Sequence, residues 1–314
     1  MSEERFAGFD VGGQAVKAVL VDRQGSLLAT AEHPTGPDTN SDGLVEVLAR
    51  LGQRLAVPLS SELMVGVGVA GVVGADGRLR GSPHLPLLLG QPLAALLAAG
   101  LGCRVLVEND ANCAAVAEGW GGAADGIDDY LMVTLGSGLG SGLVLGGELR
   151  RSRSGHGCEL GHSVVVEGGR VCACGSRGCL EAYFSETAAR SMVAESAGEL
   201  AGTIEELRRD QGWGHAQTLF ALAARDNQEA GRIASRMLAV LARGLASAVN
   251  VLDLTTIIIG GGIAPVVMDR LDELRHSMEG ALFARSADEV ALLGASRGPW
   301  AGAIGAARLA MLAR

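Results

Sequence analysis

Residues 128–155 read DDYLMVTLGSGLGSGLVLGGELRRSRSG, and they repeat in kind what residues 5–34, RFAGFDVGGQAVKAVLVDRQGSLLATAEHP, have already set out. Each stretch is an apolar strand, a glycine turn, a second strand, another glycine turn and a third strand. The first copy places Asp10-Val11-Gly12-Gly13 at its leading turn; the second places Thr134-Leu135-Gly136-Ser137-Gly138 there. After the first meander, LVEVLARLGQRLA carries Leu44, Leu48, Leu51 and Leu55 at helical spacing. Then follow the apolar strand LMVGVGVAG, a loop with SPHLP, a helix near residues 91–99, the strand CRVLV opening into Glu108-Asn109-Asp110, and a helix of small residues. In the second half, residues 228–252 show a helical stripe at Ile233, Met237, Leu241, Leu245, Ala248 and Leu252. The strand TTIIIGGG, a further helix, the short strand EVALL and a closing helix from about Trp300 complete the chain. Two halves of the same order predict a duplicated α/β fold with a ligand cleft between the copies. The Gly/Ala/Asp-rich residues 119–128 mark the expected boundary, giving domains 1–118 and 119–314, with the closing helix packed back on the first.

The chain has 314 residues, enough for two domains of ordinary size. Apolar residues are 48% and aromatics only 3%, so the core is built from Ala, Leu and Val. The formal charge of −9 argues against nucleic acid, which needs a basic face, and against an anionic membrane surface. No run approaches a membrane span, and the opening MSEERFAGFD is not a signal peptide. The expectation is a soluble cytoplasmic protein.

Residues 155–181, GHGCELGHSVVVEGGRVCACGSRGCLE, hold His162, Cys172, Cys174 and Cys179 as His-x9-Cys-x-Cys-x4-Cys. Four soft or borderline ligands in one loop suit a closed, tetrahedral, structural Zn²⁺ site. Other readings compete. Cys172 and Cys174 are too close to form a disulfide easily, and an iron–sulfur cluster usually takes four cysteines. The thiols can also be simply buried, the reading favoured for Cys103, Cys113 and Cys158, which lie outside the spacing. Glu159 and Glu181 flank the loop, which reads as a rigid wall of a binding site.

Glycine turns after strands let backbone N–H groups approach phosphate oxygens. Gly12-Gly13, Gly136-Ser137-Gly138 and Gly260-Gly261-Gly262 are three such places, although each alone also serves as an ordinary turn. Together they point to a nucleotide. Asp10 ends the first strand, where a carboxylate can hold Mg²⁺ through water; Lys17 follows, either near the phosphates or as a solvated charge. Asp110 follows an apolar strand, where open α/β sheets bind ligands. It can take a proton from a substrate hydroxyl or cap the following helix, and position alone leaves both readings open.

DVGGQAVK, VAG, END, TLGSGLGSG, GHGCELGH, CACGSRGCLE and IIIGGG together resemble the ROK (repressor, open reading frame, kinase) sugar kinases. That family has the actin-like ATPase fold, related to ribonuclease H, and the resemblance runs essentially end to end. It implies that Asp110 is the catalytic base and that Asn109, Glu159, His162 and Glu181 hold sugar hydroxyls, with Ala70-Gly71 as the loop before the substrate. His162 would serve both the metal and the sugar, one ring nitrogen to each. ATP phosphates would meet Gly12, Gly13, Thr134, Gly136 and Gly138, with Gly261 and Gly262 near the adenosine and Mg²⁺ accompanying the nucleotide. The chain departs from the family at Gln14, where Thr is usual, at Ala70, where Pro is usual, and at His84, where Asn is usual. Gln14 puts a longer amide near the phosphates, and His84 reads as a loop residue within reach of the sugar.

The implied activity is ATP-dependent phosphorylation of a hexose at C6, glucose foremost. N-acetylmannosamine, N-acetylglucosamine, fructose and allose are alternative substrates, and polyphosphate is an alternative donor. A non-catalytic sugar-binding protein is the reading of another class. Repressors of the family carry an N-terminal helix-turn-helix domain, for which a phosphate loop starting at Asp10 leaves no room. The family commonly assembles as homodimers or homotetramers.

Overall fold

The computed structural model describes residues 4–57, 59–151, 154–196 and 199–313. The first half runs β1 (Phe6–Val11), β2 (Ala15–Val21), β3 (Leu27–Pro34), α1 (Ser41–Arg54), β4 (Met64–Val69), β5 (Val72–Val73), β6 (Leu79–Gly81), α2 (Leu93–Leu101), β7 (Arg104–Asn109) and α3 (Asp110–Glu118). The second runs β8 (Tyr130–Leu135), β9 (Leu139–Leu145), β10 (Glu148–Leu149), α4 (Glu186–Glu195), α5 (Leu200–Gln211), α6 (His215–Ala223), α7 (Gln228–Leu252), β11 (Thr256–Gly260), α8 (Ala264–Met268), α9 (Leu271–Glu279), β12 (Ala291–Gly294) and α10 (Ala301–Leu312). One five-stranded sheet has the order β3-β2-β1-β4-β7 and the other β10-β9-β8-β11-β12. In each, the meander supplies three neighbouring strands and later strands add beside its first. The duplication read from the two meanders is therefore present in the strand order itself.

Contacts divide the described residues into two units. Unit 1 lies within Met1–Met132, Gly142–Cys158 and Ala295–Arg314; unit 2 lies within Val133–Ser141 and Glu159–Gly294. The sequence led us to expect one division near residues 119–128. The chain instead crosses four times, first inside β8 and then inside β9. The closing helix, α10, falls in unit 1.

In unit 1, alternation along β1 and β4 separates two faces. Phe9, Val11, Val65, Val67 and Val69 join Leu44, Leu48 and Leu51 of α1 and Leu93 and Leu97 of α2 in one buried cluster. The intervening residues include Gly8, Gly66 and Gly68; α10 lies against Gly8 through Ala303 and against Gly66 through Ala306, and Gly68 meets Cys113 of α3 and Gly302 of α10. A Cβ on Gly8 would collide with the Ala303 carbonyl, and one on Gly66 with the Ala306 carbonyl. The sheet and helix backbones thus approach as only glycine allows. Gly66→Ala is expected to destabilise unit 1 by at least ~2 kcal/mol in urea denaturation, because neither backbone can yield cheaply. Gly36→Ala is the control: nothing lies within 4 Å of its added carbon, and little change is expected. Glu118, fully buried at the end of α3, fixes the approach to α10. Its carboxylate accepts from the backbone N–H groups of Ala123, Ser296 and Arg297 and from the Ser296 hydroxyl.

In unit 2, the stripe read in the sequence is the buried face of α7. Ile233, Met237, Leu241, Leu245 and Ala248 are buried, and Leu252 is half-buried. The helix packs against α6 and α9. Contrary to the sequence reading, this 25-residue run reaches the length and hydropathy of a membrane span. More than half of it is buried within the protein, as a core helix requires.

Candidate functional site

The parallel register of unit 1 places Asp10 beside Gly68 and Val11 beside Val69; Val69 in turn pairs with Asn109. The carboxyl ends of β1, β4 and β7 therefore converge, and the next residues, Gly12, Ala70 and Asp110, leave the sheet together. The Ala70 N–H bonds the Val11 carbonyl at 3.0 Å. Gly71 has φ +152°, and a Cβ there would strike the Gly81 carbonyl, so the loop needs glycine. The Ser82 hydroxyl donates to the Ala70 carbonyl (2.6 Å) and accepts from the Leu85 N–H (3.1 Å), tying residues 82–85 to this loop. His84 consequently packs on the first glycine turn, where a Cβ on Gly13 would come within 2.7 Å of it. Gln14 is exposed.

The structure resolves the cap question at the start of α3. Asn109, with extended backbone, is the N-cap; its Oδ1 accepts from the Asn112 N–H at 2.9 Å. Asp110 is the first helical residue. Its Oδ1 accepts from the Ala111 N–H (2.9 Å) and from Asn109 Nδ2 (3.1 Å), while Nδ2 also donates to the Gly71 carbonyl at 3.0 Å. One amide thus joins the substrate loop, the helix start and Asp110.

Asp10 is part-buried between Lys17, opposite it in the β1–β2 register, and Gly302 of α10. Burial pushes its carboxyl up to about 6, and the Lys17 ammonium offsets this only in part. A buried carboxylate so short of positive charge fits a divalent cation. Because the folded state holds this proton more tightly than the unfolded chain does, stability falls as pH rises from about 4 through about 6. Asp10→Asn is therefore expected to be more stable than the parent by about 2 kcal/mol above pH 7, measured by urea denaturation. The gain should vanish near pH 4; a gain independent of pH would contradict this account.

In unit 2, the second glycine turn and the cysteine loop meet. The Gly136 N–H bonds the Gly138 carbonyl at 3.0 Å, and Thr134 lies two residues before, on β8. The Leu139 N–H donates to Glu181 Oε2 at 2.9 Å, and a Cβ on Gly138 would collide with the same carboxylate. The Cys172 thiol donates to Glu181 Oε1 at 3.8 Å. Glu159 leads into the short turn carrying His162, and the adjoining Leu160 N–H bonds Ser141 Oγ at 3.1 Å. His162 Nδ1 stands 3.6 Å from Cys172 Sγ, Cys174 Sγ stands 3.7 Å from Cys179 Sγ, and all four donors lie within 4.8 Å of one another. Ligands on a tetrahedron with bonds of about 2.1–2.3 Å stand about 3.5–3.8 Å apart, so this set fits a four-coordinate metal. All six cysteines are free of disulfides. Burial pushes the Cys172 thiol up to about 12, whereas the Ser176 N–H lowers Cys174. Gly261 lies on β8, where a Cβ would strike Leu135, and the Ile263 N–H bonds the Leu135 carbonyl at 3.0 Å.

Sequence reasoning missed the support of this nucleotide side. The Glu186 N–H bonds the Gly136 carbonyl (2.8 Å), and its carboxylate accepts from the His215 and Ala216 N–H groups at the start of α6. Buried His215 bridges Glu186 and Glu205 at 3.0 and 3.1 Å, and Gln217 Nε2 donates to the Gly262 carbonyl at 3.2 Å. The one signal was polar: His215, Gln217 and Thr218 open a helix that is apolar from Leu219 onward.

A family model described as the ROK family matches residues 6–312. The chain belongs to the ROK family. It is 34% identical over 268 residues to a glucokinase of Thermotoga maritima, spanning 84% of each chain. It is 33% identical over 304 residues to an N-acetylmannosamine kinase of Citrobacter koseri, covering 96% of this chain and 97% of that one. A solved ROK family glucokinase of Streptomyces griseus, in complex with glucose and AMPPNP, aligns with a TM-score of 0.83 at 32% identity. That alignment covers 98% of this chain and 100% of the other. The duplicated α/β architecture is the two-domain fold of ROK sugar kinases.

Proposed function

We propose that this ROK protein phosphorylates a hexose with ATP, and that its foremost substrate is glucose, taken at the C6 hydroxyl. The observation that carries the reading is the placement of Asp110. It stands at the carboxyl end of β7 as the first residue of α3, where Asn109 makes the N-cap bond and Asp110 Oδ1 is held by the Ala111 N–H and Asn109 Nδ2. Asp110 takes the hydroxyl proton as the sugar oxygen forms its bond to the γ-phosphorus and the bond to ADP breaks. Asn109, Glu159, His162 and Glu181 orient the sugar, with Ala70 and Gly71 as the loop beside it. Backbone N–H groups around Gly12, Gly13, Gly136 and Gly138, with Thr134, receive the phosphates; Gln14 and Lys17 border them, and Gly261 and Gly262 border the adenosine. Mg²⁺ bound with ATP and held through Asp10 would neutralise phosphate charge. Zn²⁺ is the ion that best suits His162, Cys172, Cys174 and Cys179, in a structural role, leaving the other nitrogen of His162 for the substrate.

The test is ADP release by the purified protein with Mg-ATP and a panel of glucose, mannose, fructose, N-acetylglucosamine, N-acetylmannosamine and no sugar. Strong turnover with glucose is expected. Turnover with N-acetylmannosamine instead would favour the reading suggested by the Citrobacter relative. No turnover from zinc-loaded protein would leave a sugar-binding role, to which the departures at Gln14, Ala70 and His84 would then belong. By family resemblance the reading includes a cytoplasmic homodimer or homotetramer, which sedimentation checks.

A further inference from the structure

Glu108, the residue before Asn109, is buried, yet the proposed mechanism gives it no task. Its Oε1 accepts from the Asn109 N–H at 3.0 Å and from Asn112 Nδ2 at 2.9 Å; its Oε2 accepts from Arg151 Nε at 2.5 Å. Arg151 follows β10 in unit 1 and is the one ion-pair partner of Glu108 among the described residues. The orientation of Asn112 shows how firmly this carboxylate acts. The Asn112 amide turns Nδ2 to Glu108 although this leaves Oδ1 buried without a partner among the described residues. An ionised carboxylate only accepts, so turning the amide over would set oxygen against oxygen. The bonds then run on: the Asn112 N–H to Asn109 Oδ1, and Asn109 Nδ2 to Asp110 and to Gly71.

We infer that Glu108 and Arg151 are a positioning pair for Asp110, latching the β7–α3 turn so that the carboxylate meets the substrate hydroxyl at the reacting angle. The inference rests on the reading of Asp110 as the base. Arg151 pairs with the Glu108 carboxylate at the foot of the turn, where it accepts from Asn109 and Asn112. The pair borders a cavity of about 460 Å³ lined also by Val73, Gly74, Asn112 and Gly155. Half of the Arg151 side chain is exposed. A small cation therefore has a route to Glu108 once Arg151 is shortened.

The experiment compares wild type, Arg151→Ala, Arg151→Lys, Glu108→Gln and Asp110→Asn in steady-state kinetics, with thermal melting of each. Arg151→Ala is expected to lose about tenfold or more in kcat, with KM for sugar and for Mg-ATP within about threefold of wild type. Arg151→Lys should recover part of the loss. Guanidinium, added at concentrations too low to unfold the protein, should restore kcat to Arg151→Ala through the cavity and leave wild type unchanged. Glu108→Gln keeps an acceptor for the Asn109 N–H and should lose less than Arg151→Ala, which strands a buried charge. A kcat for Arg151→Ala equal to wild type would overturn the pair. So would a loss confined to KM, or a lowered melting point with no response to guanidinium. If turnover vanishes in Asp110→Asn while Arg151→Ala is unaffected, only the pair falls. If Asp110→Asn retains turnover, the base assignment falls first and the pair with it.

Discussion

Asp110→Asn yields a folded protein that binds sugar and nucleotide but turns over about 10²–10⁴-fold more slowly, the ordinary contribution of a positioned general base. The amide keeps the size of the carboxylate. It can still accept from the Ala111 N–H, as Asp110 Oδ1 does at 2.9 Å. Helix α3 also keeps its cap, because that bond belongs to Asn109. The lost negative charge at the first helical residue lowers stability by only about 0.3–1 kcal/mol. An effect on kcat that far exceeds any effect on binding is therefore the expected pattern. ADP release gives kcat, and calorimetric titration with sugar gives the affinity. Near-normal turnover would show that the proton leaves by another route. Lost sugar binding would show that Asp110 holds the hydroxyl rather than deprotonating it.

The second large effect is expected from Cys174→Ser. Cys174 is exposed while Cys172 and Cys179 are buried, so the change removes a ligand without opening a core cavity. A hydroxyl is a poor substitute for a thiolate on zinc, and metal analysis should find the variant depleted. Without the metal, His162 loses the bond that fixes its ring, and the turn from Cys179 to Glu181 loses its anchor. His162 and Glu181 are proposed sugar ligands, so sugar affinity should fall about tenfold or more. Glu181 also accepts from the Leu139 N–H next to the second glycine turn. Nucleotide affinity should therefore weaken as well, but less, because the turn keeps its own Gly136–Gly138 bond and the brace from Glu186. Zinc-free protein with unchanged sugar affinity would sink the link between metal and substrate.

The fold was legible because strand-turn-strand periodicity is local and occurred twice. The cluster of His162, Cys172, Cys174 and Cys179 was legible because its four side chains sit within one loop. What stayed hidden depends on partners distant in sequence or on backbone angles. Asn109 and Asp110 both cap helices well, and only the extended backbone of Asn109 decides between them. The glycines of LMVGVGVAG read as part of an apolar strand; that Gly66 faces Ala306, and Gly68 faces Cys113 and Gly302, is visible only once α3 and α10 are in place. Glu108 and Arg151 are 43 residues apart, and nothing in either local pattern names the other. The four crossings between the contact units stayed hidden because a composition shift marks at most one crossing of the chain.

The glycine face of the first sheet carries a consequence for biosynthesis. A ribosome makes all five of its strands by residue 109 but delivers α10, residues 301–312, only after every strand of the second sheet. Throughout synthesis of the second half, the places beside Gly8 and Gly66 that α10 will fill stay bare, while Gly68 already has Cys113 of α3 as a neighbour. A nascent chain halted before residue 301 thus leaves open a surface beside Gly8 and Gly66 that α10 otherwise covers. Helix α10 acts as a seal on that sheet, and a chain that lacks it offers its glycine face to other molecules.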